Sequence, residues 1–337
     1  MKPRSSINFL RYLPGILISI LAVFFLSKFI NYEDLVNSFQ LFSVLDIFIL
    51  AAIMICSLIA RGFVWKSLLE GVSLRDGFLI INEGYLFNNL IPRSGEIVRI
   101  FITSSLTKND AFQAATAIFF ERAVDLLIAA GMFLSTLSLV FELQWLRATA
   151  IWIIVIFSLM LLGVLAAAYF SPRINEFLRG YKFKNEKLDV RVKPVLIRAI
   201  QGLTQISQPR KLLPAFFWIL LTWCFWVLYL FYGITRLSPG APLWWALFTE
   251  GVVALGIALP SAPANLGVYE GTIVFALSVF GISSETALGG AILLHIIQIA
   301  ITIVFGVVGL FIHDFKLGQI IEKIQSKIVK KKITSQE

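Results

Sequence analysis

Residues 88–100 read NNLIPRSGEIVRI. The flanks, GYLF before and FITSSL after, are apolar enough to sit in a membrane, yet the stretch sets Arg93, Glu96 and Arg99 beside Pro92 and Gly95. Proline has no backbone N–H and glycine relaxes the dihedral limits, so a helix arriving here unwinds. Irregular backbone at membrane depth is tolerated only where protein or water satisfies it. The spacing therefore predicts two short helical arms across a break.

The remainder of the chain supplies the membrane. Of 337 residues 58% are hydrophobic and 15% charged, whereas soluble domains are about a quarter charged. Apolar runs at about 10–30, 43–62, 113–140, 149–170, 213–235 and 286–312 are each long enough for a span of about 20 residues. They are continuous rather than alternating, which argues against a β-barrel. A second broken region, 243–281, is split at Pro260, Pro263 and Gly267, as 78–106 is split at Pro92–Gly95. The expected fold is an all-α polytopic integral membrane protein with about six full spans and two broken or re-entrant hairpins. The N-terminal run is too long for a signal-peptide core and is read as a retained first helix.

Charge orients this layout. With the N-terminus in the cytoplasm, 23 of the 29 lysines and arginines fall on the cytoplasmic side. Lys28, Arg147 and Arg236 fall outside, and Arg93, Arg99 and Arg122 lie in or beside the first break. That bias places both termini in the cytoplasm and the protein in the cytoplasmic (plasma, or bacterial inner) membrane. Arms of about 13–14 residues reach about 20 Å as helix, short of a core of about 30 Å, so the first break reads as re-entrant. The second has arms of about 17–18 residues, borderline between a hairpin and two spans. With both re-entrant, residues 1–141 and 142–315 each read span, span, hairpin, span, in opposite orientation. That is the inverted-repeat plan of many transporters.

The net charge of +9 is assigned to basic surfaces on anionic lipid rather than to nucleic acid. These are the loop 171–212 and the amphipathic tail 316–337, read as an interfacial anchor. Cys56 and Cys224 lie in apolar runs and imply no disulfide. Most of the 30 Phe and 8 Trp are read as lipid-facing or interfacial, with no site drawn from them. There is no phosphate-binding loop, metal-ligand cluster, HExxH or Gly-x-Ser-x-Gly, so no cofactor or metal is expected and nucleotide-driven transport is unsupported.

Ionisable groups at membrane depth face a cavity or one another. Glu96 and Arg99, at i, i+3, are expected to pair, which leaves Arg93 beside the N-terminus of the second arm, a seat for phosphate. The alternative is an ordinary loop at the cytoplasmic surface. In FFERAVDLL, Arg122 reaches Asp125 at i, i+3 and shares a network with Glu121; a purely structural pairing is the alternative. In LPSAPANLGVYEG, Asn265 is a candidate cap for the next helix. Glu270 follows one turn in, to bind a proton or answer an arginine of the other hairpin; otherwise it sits on an outer turn. Glu83, Glu250 and His295 are single polar residues in apolar runs, His295 being the proton-responsive one.

These three motifs, in this order, resemble the flippase-like transmembrane region of the lysyl-phosphatidylglycerol synthases and its stand-alone homologues. The resemblance rests on Asn88, Pro92, Arg93, Gly95, Glu96 and Arg99, on Glu121, Arg122 and Asp125, and on Pro263, Gly267 and Glu270, and it covers nearly the whole chain. It implies lipid translocation. The synthases carry a large soluble aminoacyl-transferase domain that is not seen here, so this chain is not expected to make lysyl-lipid. Members often carry an arginine in the last span where this chain offers His295.

The resulting expectation is a lipid translocase, not an enzyme. Arg93, Arg99, Arg122, Asn88 and Gly95 would receive the headgroup of an anionic phospholipid or polyprenyl-linked lipid. Glu96, Glu121, Asp125, Glu270 and His295 would form the charge network and gate. Pro92, Pro260, Pro263 and Gly267 would act as hinges. The alternatives are a membrane-embedded headgroup-modifying enzyme and a scaffold for a separate lipid-modifying enzyme. A homo-oligomer is compatible with all three.

Overall fold

The structure, a computed structural model, describes residues 31–140, positions within 151–197, and 208–315 apart from 259 and 260. The expected first span, the tail 316–337, Pro260, Lys28 and Arg147 lie outside the described residues, as does most of 149–170 and of the basic loop 171–212. Among the described residues all regular structure is helical.

Short polar caps set the helix starts. Asn31 accepts from the Glu33 N–H to open α1 (Tyr32–Phe39). Ser43 and Asp46 cap each other's backbone at the head of α2 (Val44–Leu68). Ser73 caps α3 (Leu74–Leu90) through the Asp76 N–H. At the first break Ile91 is extended, as a residue before proline must be, and Arg93 takes φ 60°. The chain then enters α4 (Gly95–Leu106). At 1.5 Å per residue α3 and α4 reach about 25 and 18 Å. The following α5 (Ala111–Val140) has 30 residues, about 45 Å.

After α6 (Pro209–Leu237) comes the second break, between α7 (Leu243–Ile257) and α8 (Val268–Ser278). It carries a single helical turn at Pro263–Asn265, and Ala264, Asn265 and Gly267 all have positive φ. The arms have 15 and 11 residues, fewer than the 17–18 expected, because the break itself takes up ten positions. The last helix, α9 (Ser284–Ile312), starts at the Ser283 cap. Val44–Leu68, Arg210–Leu237 and Ser284–Ile312 are long and apolar enough to cross a membrane.

The helices pack in a defined set. α2 lies along α6, α3 along α9 and α2, α5 along α7, and α8 along α7 and α9. Polar pairs fix which ends meet. Asp46 at the start of α2 bonds Arg236 and Tyr232 near the end of α6. Glu70, after α2, meets Lys211 at the start of α6 at 2.7 Å. The two helices are therefore antiparallel. Asp76 and Glu83 of α3 meet His313 at the end of α9, so the first broken pair opens at the Glu70–Lys211 end. The second broken pair hangs from α6 at the Arg236 end, and the tips meet where Arg93 donates to the Ala258 carbonyl at 2.8 Å.

Small residues let these helices approach, as in other membrane proteins. A Cβ on Gly95 would run into the Gly84 carbonyl, and one on Gly251 would meet Phe133 at 2.9 Å. Gly131, on α5, faces open space. Gly95→Ala is expected to destabilise by about 1–3 kcal/mol, as overpacking does. Gly131→Ala is expected to be neutral or to stabilise by about 0.5–1 kcal/mol through helix propensity. Thermal unfolding of both variants in one detergent checks the contrast.

Candidate functional site

The centre of the molecule is a buried ionic network where α2, α4 and α5 meet. Arg99 of α4 donates to both oxygens of Glu121 on α5, at 3.0 and 2.7 Å. Its guanidinium lies 4.4 Å over the Trp65 ring of α2, and the Trp65 indole N–H donates to the same Glu121 at 3.0 Å. Glu121 is fully buried and Arg99 is 4% exposed. Asp125, one turn further along α5, accepts from Arg61 of α2 at 3.0 Å and from the Trp223 indole of α6 at 2.9 Å. Arg61, 1% exposed, also lies 3.9 Å from Glu121 and stacks over Trp226.

The network has one exposed edge. Arg122 is 44% exposed at its side chain and Glu96 51%, and they meet at 3.2 Å. Arg122 also lies 3.7 Å from Glu121 and from Asp125. The expected Arg122–Asp125 pairing is present. The expected Glu96–Arg99 pairing is not, because the two side chains leave α4 on different sides. Arg99 points into the core toward α5, while Glu96 faces Arg122 at the surface.

Gly95 and Asn88 are brought together, the Gly95 N–H donating to the Asn88 Oδ1 at 2.7 Å. Asn88 thus closes the break across Pro92 and anchors the start of α4. Arg93 is exposed, three residues before Glu96, and is held by the Ala258 carbonyl of the second pair. Among the described residues no arginine answers Glu270. That residue accepts from the Gly267 N–H at 2.7 Å and pairs with His295 Nδ1 at 2.6 Å. His295 stacks on Tyr269 at 4.2 Å. Asn265 does not cap α8; it accepts from Ser261, and Gly267 takes the capping position with Glu270 closing back on it. Pro92, Pro263 and Gly267 all lie at the breaks.

A family model described as the lysylphosphatidylglycerol synthase TM region matches residues 12–306. The chain belongs to that family. It is a helical membrane protein built on the lysylphosphatidylglycerol synthase TM region, with three long apolar helices among its described residues. No curated protein and no solved structure matches it. The matched span of this TM region takes in all three charged motifs and both broken pairs.

Reading the sequence missed four members of the site. Arg61 was placed among the cytoplasmic charges, but α2 continues six residues past the expected end of its run and carries Arg61 inward. Its spacing of i, i+4 to Trp65 puts both on one face, a signal the sequence does contain. Trp65 and Trp223, among the aromatics from which the sequence draws no site, donate to Glu121 and Asp125. His313 pairs with the fully buried Glu83 at 2.9 Å and lies 3.6 Å from Asp76.

His313 caps the end of α9, outside the apolar span. Burial opposes its charge, but the hydrogen bond and charge of Glu83, with Asp76 behind, outweigh it and raise its pKa above the ordinary value. A histidine raised in the folded state stabilises fully below about pH 6.5, and that contribution is lost as pH rises through the folded value. Wild type is therefore expected to lose stability relative to His313→Gln as pH rises above about 6.5, as read by paired melting curves. Glu121→Gln should cost about 3–5 kcal/mol, since it strands the buried Arg99 guanidinium. Glu96→Gln, at an exposed pair, should cost less than about 1 kcal/mol.

Proposed function

We propose that the protein is a lipid translocase whose headgroup site lies at the meeting point of the two broken pairs. The observation that carries this reading is the division of labour among the arginines. Arg61 and Arg99 are buried and committed to Asp125 and Glu121. Arg93 and Arg122 are the exposed pair, one on a neutral carbonyl and one on an exposed carboxylate. Either partner is weaker than a phosphate, which accepts bidentate charge-assisted bonds from arginine. The positive end of α4 begins at Gly95 between them. An anionic headgroup, of a phospholipid or a polyprenyl-linked lipid, displaces Ala258 and Glu96 while its acyl chains stay in the bilayer.

In this reading the buried pairs set the floor of the site and hold α2, α4 and α5 in register. The two broken pairs open at opposite ends, as halves of an inverted repeat do, and a site between their tips is presented to each leaflet in turn. The protein resides in the cytoplasmic membrane with both termini inside, and six full spans flank the two re-entrant pairs. Translocation is its activity; a separate enzyme would perform any headgroup modification.

Purified protein in liposomes containing labelled anionic, zwitterionic or polyprenyl-phosphate lipid tests this. Flux of an anionic class is expected. Arg93→Ala and Arg122→Ala should each lower it by at least about tenfold, since a charge-assisted bond is worth about 1.5–3 kcal/mol. Both residues are exposed, so their variants should melt close to wild type. Wild-type flux in either folded variant removes that arginine from the site. No flux of any class favours a headgroup-modifying enzyme, to be sought by analysing lipid products.

A further inference from the structure

Among the described residues, the acidic groups buried among the helices are all answered except one. Asp46 bonds Arg236, Tyr232 and Ser43, and Glu83 bonds His313. Glu121 and Asp125 bond Arg99 and Arg61, and Glu270 bonds His295 and the Gly267 N–H. Glu250, in the middle of α7, is 8% exposed and has neither a hydrogen bond nor an ion pair. A carboxylate in hydrocarbon without a cation is among the costliest groups a membrane protein can carry.

Among the described residues, the surroundings of Glu250 offer no cation. α7 packs against α5, α6 and α8. From α5 come Phe133 and Leu137, which are apolar. From α8 comes Tyr269, a neutral phenol near Glu250, with Glu270 beyond it already held by His295 of α9. From α6, Tyr229 is committed to the Leu294 carbonyl, and Tyr232 and Arg236 are committed to Asp46. Arg93 reaches only as far as Ala258, eight residues along from Glu250, or about 12 Å of helix.

We propose that Glu250 is a proton-binding site whose protonation gates closure of the second broken pair. The link to lipid movement rests on the translocase reading above; the proton site does not. While the second broken pair is closed, the carboxyl keeps its proton, because none of the described residues brings a cation to answer the anion. When α7 and α8 part and water enters, the group ionises and the proton leaves to solvent. The pair cannot close again until a proton is taken back. Each closure takes up one proton and each opening returns one, so protonation sets how often the pair can close.

Two measurements on the full-length protein in phosphatidylethanolamine–phosphatidylglycerol liposomes decide this. The first is labelling with dicyclohexylcarbodiimide, an apolar reagent that adds the O–H of a protonated carboxyl across its C=N bond. An adduct is expected on Glu250, fading as pH rises, absent in Glu250→Gln and unchanged in Arg93→Ala. The second is the rate of downhill movement of labelled phosphatidylglycerol at equal pH on both sides, stepped upward through the range in which the adduct fades. Once the opened carboxyl is ionised, the wild-type rate should fall about tenfold per pH unit. Glu250→Gln, an isostere of the neutral form, should fold and move lipid at a rate that no longer falls as pH rises. No adduct at Glu250 overturns the proton site. A wild-type rate that does not fall with pH, or a Glu250→Gln rate that falls in the same way, overturns the gating. If no lipid moves, the translocase reading fails, and labelling alone decides the proton site.

Discussion

A guanidinium or carboxylate inside a membrane protein must find its opposite, and here that requirement organises the fold. Glu121 receives both nitrogens of Arg99 and the indole of Trp65, so one carboxylate ties α5 to α4 and α2. Asp125, one turn away, ties α5 to α2 and α6 through Arg61 and Trp223. Removing the four charges together would remove the desolvation along with the attraction, and such pairs often add little net stability. What they add is register: the helices fit in the one arrangement where each charge is met. The break at Pro92–Gly95 follows from the same demand, since α4 must turn back to bring Arg99 onto Glu121.

The sequence disclosed the architecture better than the partners. Helix breakers among apolar runs identified both broken pairs, and FFERAVDLL announced a charged cluster inside a helix. Those signals are local, carried by residue type and by spacing of three or four. The pairings that matter join residues 22, 56 and 64 positions apart, and spacing is silent about these. Glu96 and Arg99 looked like partners because they are neighbours on one helix, yet tertiary packing gave each a better one. Arg61 was misplaced for a related reason. A hydropathy run ends where charges begin, whereas a helix ends where its backbone bonds end, and α2 outlasts its apolar run by six residues.

Backbone conformation adds a second layer the sequence only hinted at. Arg93, Ala264 and Asn265 are non-glycine residues at positive φ, and all three lie in the two breaks. Such conformations persist where the surroundings enforce them, and they cluster at working sites. At Arg93 the enforcing contacts are visible: the proline before it, the Asn88 bond to Gly95 behind it, and the Ala258 carbonyl at the far end of its side chain. The bond from Arg93 to the Ala258 carbonyl joins the two breaks and is exchangeable, whereas the network beneath them is held by many bonds.

Both histidines of the chain are on α9 or at its end, and each is bonded through Nδ1 to a glutamate of a different broken pair. They are 18 residues apart, or about 27 Å along the axis, close to the thickness of the bilayer core. α9 is thus pinned at two depths like a bolt through two plates. Hydrogen bonds weaken within a few tenths of an ångström of their best length, and the smallest axial step of a helix is about 1.5 Å. Sliding by one residue would break both pins at once. α9 is therefore a fixed post, and relative motion of the broken pairs must take place as rotation about it.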